Sequence, residues 1–299
     1  MVKMLVVGRE GQLGRSLAEA AKTSSDIEVL ALGRPDLDIT KAETISAALD
    51  RFSPDIVVNA AAYTAVDKAE SEAEQAYAVN AEGPRLLAEL CAARNIPLVH
   101  ISTDYVFDGS KDGFYAETDA VAPLGVYGES KLAGERKVAE ANPKHIILRT
   151  AWVFSPYGGN FVKTMLRLAE TRPELGIVDD QRGSPTYAPH LAEAILAMAA
   201  PIAEADASSD IWGIYHAGGA GETSWHGLAA EVFRRSAEHG GPAAATKPIT
   251  TADYPTPAAR PANSRLNSGK LAETFGVHLP DWHDGVAECV AALAAAPAR

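Results

Sequence analysis

The sequence predicts an α/β protein: a doubly wound parallel sheet followed by a smaller, irregular C-terminal lobe. Three features point to it. Short β-branched runs alternate with longer amphipathic stretches through the first half, a triplet of glycines follows the first run, and the alternation stops near residue 150. Strand and helix taking turns at this spacing is the mark of βαβ units and a Rossmann-like sheet. A chain of 299 residues accommodates one large domain or two ordinary ones. We expect a sheet domain over residues 1–150 and a ligand-binding lobe over 151–299, with the return of later segments such as 176–200 to the sheet left open.

The expected strands are 4–7, 28–32, 56–59, 98–102 and 145–149, and the expected helices are 12–22, 42–51, 72–94 and 128–140. Several strands are continuous apolar runs, as they must be when helices cover both faces of a sheet. The string DITKAE at 38–43 predicts a capping box, with Thr40 at the N-cap and Glu43 three residues on. Beyond residue 150, SPYGG at 155–159, RGSP at 182–185 and the prolines of 255–261 read as turns. The run 191–200 is the strongest candidate for a helix packed back on the sheet. No internal repeat is present, and the Ala/Pro-rich tail 291–299 is expected to fray.

Composition excludes several function classes. The chain is 47% hydrophobic and 22% charged, enough for a sizeable core. Its 27 basic against 39 acidic residues give a net charge of −12, which disfavours nucleic acid or any other polyanion as a partner. Cys91 and Cys289 lie far apart without a CxxC pattern and read as reduced thiols in helices. The first apolar run is too short for a signal peptide, and no run approaches the roughly 20 residues of a membrane span. A cytoplasmic protein with no membrane partner is the expectation. The histidines are scattered without HExxH, and His278 and His283 read as loop residues, so no metal is expected. The string GESKL at 128–132 fails as a nucleophile elbow because Leu132 stands where glycine is needed.

Chemistry concentrates in two motifs. VVGREGQLGR at 6–15 places Gly8, Gly11 and Gly14 between the first strand and the first helix. Glycines there let backbone N–H groups approach a pyrophosphate at a helix N-terminus, where the macrodipole favours an anion. The stretch after the second strand meets Arg34 before Asp36 and Asp38, and Arg9 adds a second cation in the loop. A guanidinium suits a 2′-phosphate, so NADPH is favoured, with NADH the alternative if both arginines are merely solvated. Tyr127 and Lys131 form a YxxxK pair on one helical face. An ammonium beside a phenol lowers a pKa that starts near about 10, which a tyrosine needs to exchange protons near neutrality. The fourth strand ends in Thr103, whose hydroxyl falls at the carboxyl edge where ligands of open α/β folds bind.

Glycine loop, strand-end hydroxyl and YxxxK, in that order, resemble the extended short-chain dehydrogenase/reductase family. Finer strings extend the resemblance over nearly the whole chain: GQLG at 11–14, NAAAYTAVDKAE at 59–70, STDYVFDG at 102–109, YGESKLAGE at 127–135, RTAWVF at 149–154, NFVKTM at 160–165 and RPANSRL at 260–266. They narrow it to the branch that reduces the C4 ketone of dTDP-4-dehydrorhamnose.

The resemblance implies that Tyr127 protonates the ketone oxygen while the nicotinamide reduces C4. Lys131 would lower the Tyr127 pKa and hold the nicotinamide ribose, and Thr103 would orient the carbonyl. Gly11, Gln12 and Leu13 would meet the pyrophosphate, Asp38 and Ile39 the adenine end, and Ala62, Tyr63 and Thr64 the ribose-diphosphate. Val66, Asp104, Tyr105 and Trp152 would meet the sugar, with the Trp152 ring as an apolar wall. Arg260 and the segment 180–186 would lie toward the nucleotide of a dTDP-sugar. Rival readings are a nucleotide-sugar epimerase or dehydratase, or a non-catalytic regulatory subunit on the same fold. A dehydratase adds an acidic pair where this chain offers only Asp104. Some relatives dimerise around Mg²⁺ through glutamates, one of which would fall at Ser16. Serine beside Arg15 is a poor ligand for that ion, so Mg²⁺ is not expected, and a monomer or weak homodimer is.

Overall fold

The computed structural model describes residues 1–295. In chain order its sheet half runs β1 (Val2–Val7), α1 (Gln12–Ala20), β2 (Ile27–Leu32), α2 (Ala42–Phe52), β3 (Ile56–Asn59), α3 (Val66–Ala69), α4 (Ala73–Tyr77), α5 (Gly83–Ala92), β4 (Leu98–Thr103), α6 (Val126–Ala141) and β5 (His145–Thr150). The rest comprises β6 (Val153–Phe154), α7 (Phe161–Ala169), β7 (Glu174–Val178), β8 (Arg182–Gly183), β9 (Thr186–Tyr187), α8 (Ala188–Glu204), β10 (Gly213–His216), β11 (Thr223–Ser224), α9 (Trp225–Glu238), β12 (Ala245–Ile249), β13 (Asn263–Ser264), α10 (Gly269–Phe275) and α11 (Trp282–Ala295).

Six strands form one sheet in the order β10-β5-β4-β3-β1-β2. Every pairing in it is parallel. The register brings the strand ends level: Val7 faces Asn59, and Thr103 faces Thr150. One face is covered by α1 and α8, with Leu17, Ile195 and Met198 in its core. The other is covered by α2, α5 and α6 over Ile45, Leu49, Leu87 and Val138. This is the expected doubly wound sheet.

The chain beyond residue 150 does not stay in the lobe. β10 adds a sixth strand beside β5, and α8 lies along α1. The earlier part of 176–200 remains in the lobe, where β7 pairs with β12. The lobe has its own core from α7, α9 and α11, with Val162, Leu228, Val232 and Val286 at its centre.

Three local expectations are corrected. α2 starts at Ala42 with Lys41 at its N-cap and no side-chain cap. The Thr40 hydroxyl and N–H both donate to the Asp38 carboxylate instead, at 2.8 and 3.0 Å, so the nearby acid takes the N–H that Glu43 would accept in a capping box. The single helix expected over 72–94 is divided by a π turn at Ala78–Glu82. There the buried Asn80 side chain reaches back to both backbone groups of Tyr63 and to the Ser130 hydroxyl. A widened turn of this kind aims a side chain out of the regular ladder. Finally, residues 291–295 do not fray but complete α11, which Cys289 and Val290 anchor in the lobe core; 296–299 lie outside the described residues. Both cysteines are buried free thiols, pushed up to about 12 by burial. No helix among the described residues is long and apolar enough to cross a membrane.

If α8 is a core element of the sheet domain, Ile195→Ala lowers the unfolding free energy by about 2–5 kcal/mol. A urea titration reads this as a lower midpoint at unchanged slope. A midpoint equal to that of the wild type contradicts it.

Candidate active site

A cleft of about 1050 Å³ runs along the carboxyl edge of the sheet, between it and the lobe. One end is the glycine loop. Gly8 adopts φ 109°, open to glycine but not to other residues, and a Cβ on it would fall 2.8 Å from the Ala60 carbonyl carbon. Gly11, Gln12 and Leu13 line the cleft at the start of α1, whose N-cap Gly11 offers no side-chain cap, so the first helical amides stay free for an anion. Gly14 does not line it. A Cβ there would stand 2.2 Å from the Gly8 carbonyl oxygen, so this glycine lets α1 pack under the loop. The Gln12 side chain turns to the lobe: its Nε2 donates to Val153 O, and its Oε1 accepts from Ser155 Oγ and Asn160 Nδ2.

At the adenine end, Arg34, Asp38 and Ile39 line the cleft. Partial burial raises the Asp38 pKa, but hydrogen bonds from Thr40 and the charges of Lys41 and Arg34 outweigh it and hold the carboxyl below its usual range. Arg9 is engaged by Glu10 at 3.0 Å and Asp36 at 3.3 Å. Arg34 makes no ion pair among the described residues and faces the same space. It is the better-placed cation for a 2′-phosphate. Ala62, Tyr63 and Thr64 line the middle of the cleft, where Asn80 fixes Tyr63 by its N–H at 2.8 Å and its carbonyl at 3.1 Å. A glycine cradle, free helix amides and an unpaired guanidinium fit a dinucleotide phosphate chain.

Thr103, Asp104 and Tyr105 come from the end of β4, and Tyr127 and Lys131 from the first turns of α6; all five line the cleft. Tyr105 packs edge-on against Tyr127, with ring centroids 5.4 Å apart. The expected tuning of the phenol by lysine is absent from the free protein. Burial pushes Tyr127 up to about 12, although the neighbouring Thr103 hydroxyl pulls it the other way. Lys131 Nζ donates to the Ile101 carbonyl at 2.6 Å and makes no hydrogen bond to the phenol among the described residues. Burial pushes Lys131 itself down to about 8, opposed by the charge of Glu135.

Glu135 and Arg149 escaped the sequence analysis. Arg149 grips both carboxylate oxygens of Glu135 at 2.9 and 2.7 Å, and Ser102 Oγ donates to the same carboxylate. All three are buried. Two signals could have found them: Glu135 follows Lys131 by four residues on one face, and Arg149 interrupts an apolar strand. Asn80 carried no such signal.

Val66 and Trp152 line the sugar end. Trp152 adopts φ 49° and stacks on Trp225 at 3.6 Å and 9°, and Gly183 packs so closely that a Cβ there would lie 2.4 Å from Trp152 Cε2. The aromatic wall is therefore a stacked pair, and Trp225, which also lines the cleft, was not anticipated. Arg260 is not among the lining residues. Its guanidinium is held by Asp67 at 2.8 and 3.1 Å, tying the loop before β13 to α3.

Residues 2–295 match the family model described as RmlD substrate binding domain. The chain belongs to this family. A curated relative, the dTDP-4-dehydrorhamnose reductase of Sinorhizobium fredii, is 48% identical over 292 residues, covering 98% of each chain. The crystal structure of a dTDP-4-dehydrorhamnose reductase from Clostridium acetobutylicum aligns with TM-score 0.89 at 37% identity, covering 97% of this chain and 99% of that one. The Bacillus anthracis dTDP-4-dehydrorhamnose reductase, solved in complex with NADP, aligns with TM-score 0.89 at 34% identity and the same coverage. The Rossmann-like fold and the family resemblance read from the sequence are thereby shown.

If Arg34 meets the 2′-phosphate, Arg34→Ala weakens NADPH at least about 10-fold more than NADH, a loss in the range of one charge-assisted hydrogen bond. Fluorescence titration of the two cofactors measures it. Equal weakening of both contradicts the assignment.

Proposed function

We propose that the chain reduces the C4 ketone of dTDP-4-dehydrorhamnose to dTDP-L-rhamnose with NADPH. The observation that carries this reading is the meeting of Thr103, Tyr127 and Lys131 in the same cleft as the glycine loop. Bound NADPH supplies the reducing equivalents at C4. Tyr127 gives the ketone oxygen its proton, since its phenol is held protonated. The Thr103 hydroxyl accepts the Tyr105 N–H and in the free protein donates to Asp104; turning that one proton to the ketone oxygen would orient the carbonyl. Lys131 carries a positive charge one helical turn from Tyr127, where exchange of its bond from Ile101 to the nicotinamide ribose would favour the phenolate left after proton transfer.

Gly11, Gln12 and Leu13 would meet the pyrophosphate, with the amides of Gln12 and Leu13 as donors because the Gly11 N–H is taken by Gly8 O at 3.0 Å, and Ala62–Thr64 would line the ribose-diphosphate. Val66, Tyr105 and the Trp152–Trp225 pair would enclose the sugar. The reading gives Arg260 a bracing role through Asp67 rather than a nucleotide contact. Ser16 is buried and donates to Gln12 O at 2.8 Å, so its hydroxyl is committed within α1 rather than offered to Mg²⁺; turnover without Mg²⁺ by a monomer or weak homodimer is part of the same reading.

The test is a panel of dTDP-, UDP- and GDP-4-keto sugars with both reduced cofactors, in the presence of EDTA. NADPH oxidation is expected with dTDP-4-dehydrorhamnose, and no consumption with any sugar overturns the reading. In the same assay Tyr127→Phe loses about 10²-fold or more in turnover, the usual worth of a general acid, with NADPH binding unchanged. A variant that keeps most of its turnover removes Tyr127 from the role.

A further inference from the structure

We propose that Gln12 is a positioning residue that couples the two ends of the cleft, so that cofactor and sugar bind more tightly together than apart. The inference rests on the reductase reading above and names a residue through which its two ligands act on each other. Gln12 belongs to both sites. Its main chain lies in the first turn of α1, where the N–H would meet the pyrophosphate, and its side chain holds the lobe segment that follows Trp152.

The side-chain amide is committed to the lobe. A primary amide offers two N–H donors and one oxygen with two lone pairs. Gln12 Nε2 donates to Val153 O at 3.2 Å, while Oε1 accepts from Ser155 Oγ at 2.8 Å and from Asn160 Nδ2 at 3.0 Å. Val153 O can only accept and Asn160 Nδ2 can only donate, so one orientation of the amide satisfies both. Both lone pairs are filled, and the partners stand 141 to 148 residues away along the chain. None of them belongs to α1.

The segment 153–160 is built around that amide. Ser155 Oγ also accepts the Tyr157 N–H at 3.1 Å, and Asn160 gives an N–H to Ser155 O at 2.7 Å while its Oδ1 accepts from Lys163 N at the start of α7. Ser155 is buried, whereas Gly158 and Gly159 at the tip are exposed, and a Cβ on Gly159 would meet nothing within 4 Å. The tip therefore takes its order from the root, where Gln12 sits. Just before the segment, Trp152 adopts φ 49°, a left-handed conformation that a residue with a side chain keeps only where its surroundings hold it. Gln12 fixes the carbonyl of the next residue, and Trp152, Val153, Gly158 and Gly159 all line the cleft.

Coupling follows from this double attachment. With its N–H on a cofactor phosphate, Gln12 has a fixed backbone from which its side chain hangs, and the three lobe bonds stay made. The sugar then meets a wall already ordered, and less freedom is lost when it binds. By linkage the sugar tightens the cofactor by the same factor.

The test uses NADPH and dTDP-L-rhamnose, which are both reduced and so do not react with each other. Calorimetry gives the Kd of dTDP-L-rhamnose with and without NADPH, for the wild type and for Gln12→Met, which keeps the side-chain length and none of its polar bonds. The wild type is expected to bind dTDP-L-rhamnose about 10-fold more tightly in the presence of NADPH, and Gln12→Met to lose about 5-fold or more of that factor, within the usual range of coupling between sites. Hydrogen exchange of the Tyr157 amide is expected to slow when NADPH is added to the wild type and not in Gln12→Met. A Gln12 that merely braced the lobe would weaken the sugar equally in both conditions and leave the ratio unchanged. Should Gln12→Met fail to fold, Ser155→Ala removes one of the three bonds from the lobe side and must lower the same ratio. A wild type without coupling, or the same ratio in wild type and variant, overturns the inference and leaves the reductase reading standing. A wild-type chain that binds neither NADPH nor dTDP-L-rhamnose overturns both.

Discussion

The burial of the Lys131 ammonium is the constraint on which the site depends. A charge taken out of water costs several kcal/mol unless partners meet it. Here the Ile101 carbonyl accepts from it, and the carboxylate of Glu135 supports its charge from the next turn of α6. Glu135 in turn requires Arg149 from β5 and Ser102 from β4. One buried lysine thereby ties α6 to two central strands. The docking is close enough to need glycine twice: a Cβ at Gly128 would lie 2.2 Å from Tyr105 O, and one at Gly134 would lie 2.0 Å from Asn80 O. Tyr127 comes to rest beside Thr103 because the helix that carries it has no freedom to sit elsewhere.

The lobe is fastened to this frame at both ends of the cleft. Gln12, at the start of α1, receives Ser155 and Asn160 and donates to Val153. At the other end, Arg260 clasps Asp67, the residue after Val66. Between these fastenings the Trp152–Trp225 stack forms the wall toward the sugar. Cofactor loop and substrate wall are therefore parts of one bonded assembly.

What the sequence made legible is what spacing within a short segment encodes. The glycine loop, the strand-end Thr103 and the Tyr127–Lys131 pair are each readable over a few residues, and all reach the same cleft. Features joined by long-range contact were hidden: β10 beside β5, Trp225 behind Trp152, and Asn80 reaching back to Tyr63. The capping box at Thr40 failed because Asp38 takes the Thr40 N–H that Glu43 would have accepted. The expectation of a phenol already tuned by lysine failed for a similar reason. The spacing places Tyr127 and Lys131 on one face, but only the fold reveals that the Ile101 carbonyl holds the ammonium.

Burial holds the Tyr127 phenol of the free protein high, and on the proposed mechanism NADPH in the cleft would bring it down. The most direct measurement is an ultraviolet difference titration of Tyr127, wild type against Tyr127→Phe, without cofactor and with NADPH bound. This phenol is expected not to ionise below the free-tyrosine value of about 10 in the empty protein, and to shift downward once NADPH is bound. A phenol that ionises near neutrality in the empty protein, or that titrates identically in both states, would contradict it.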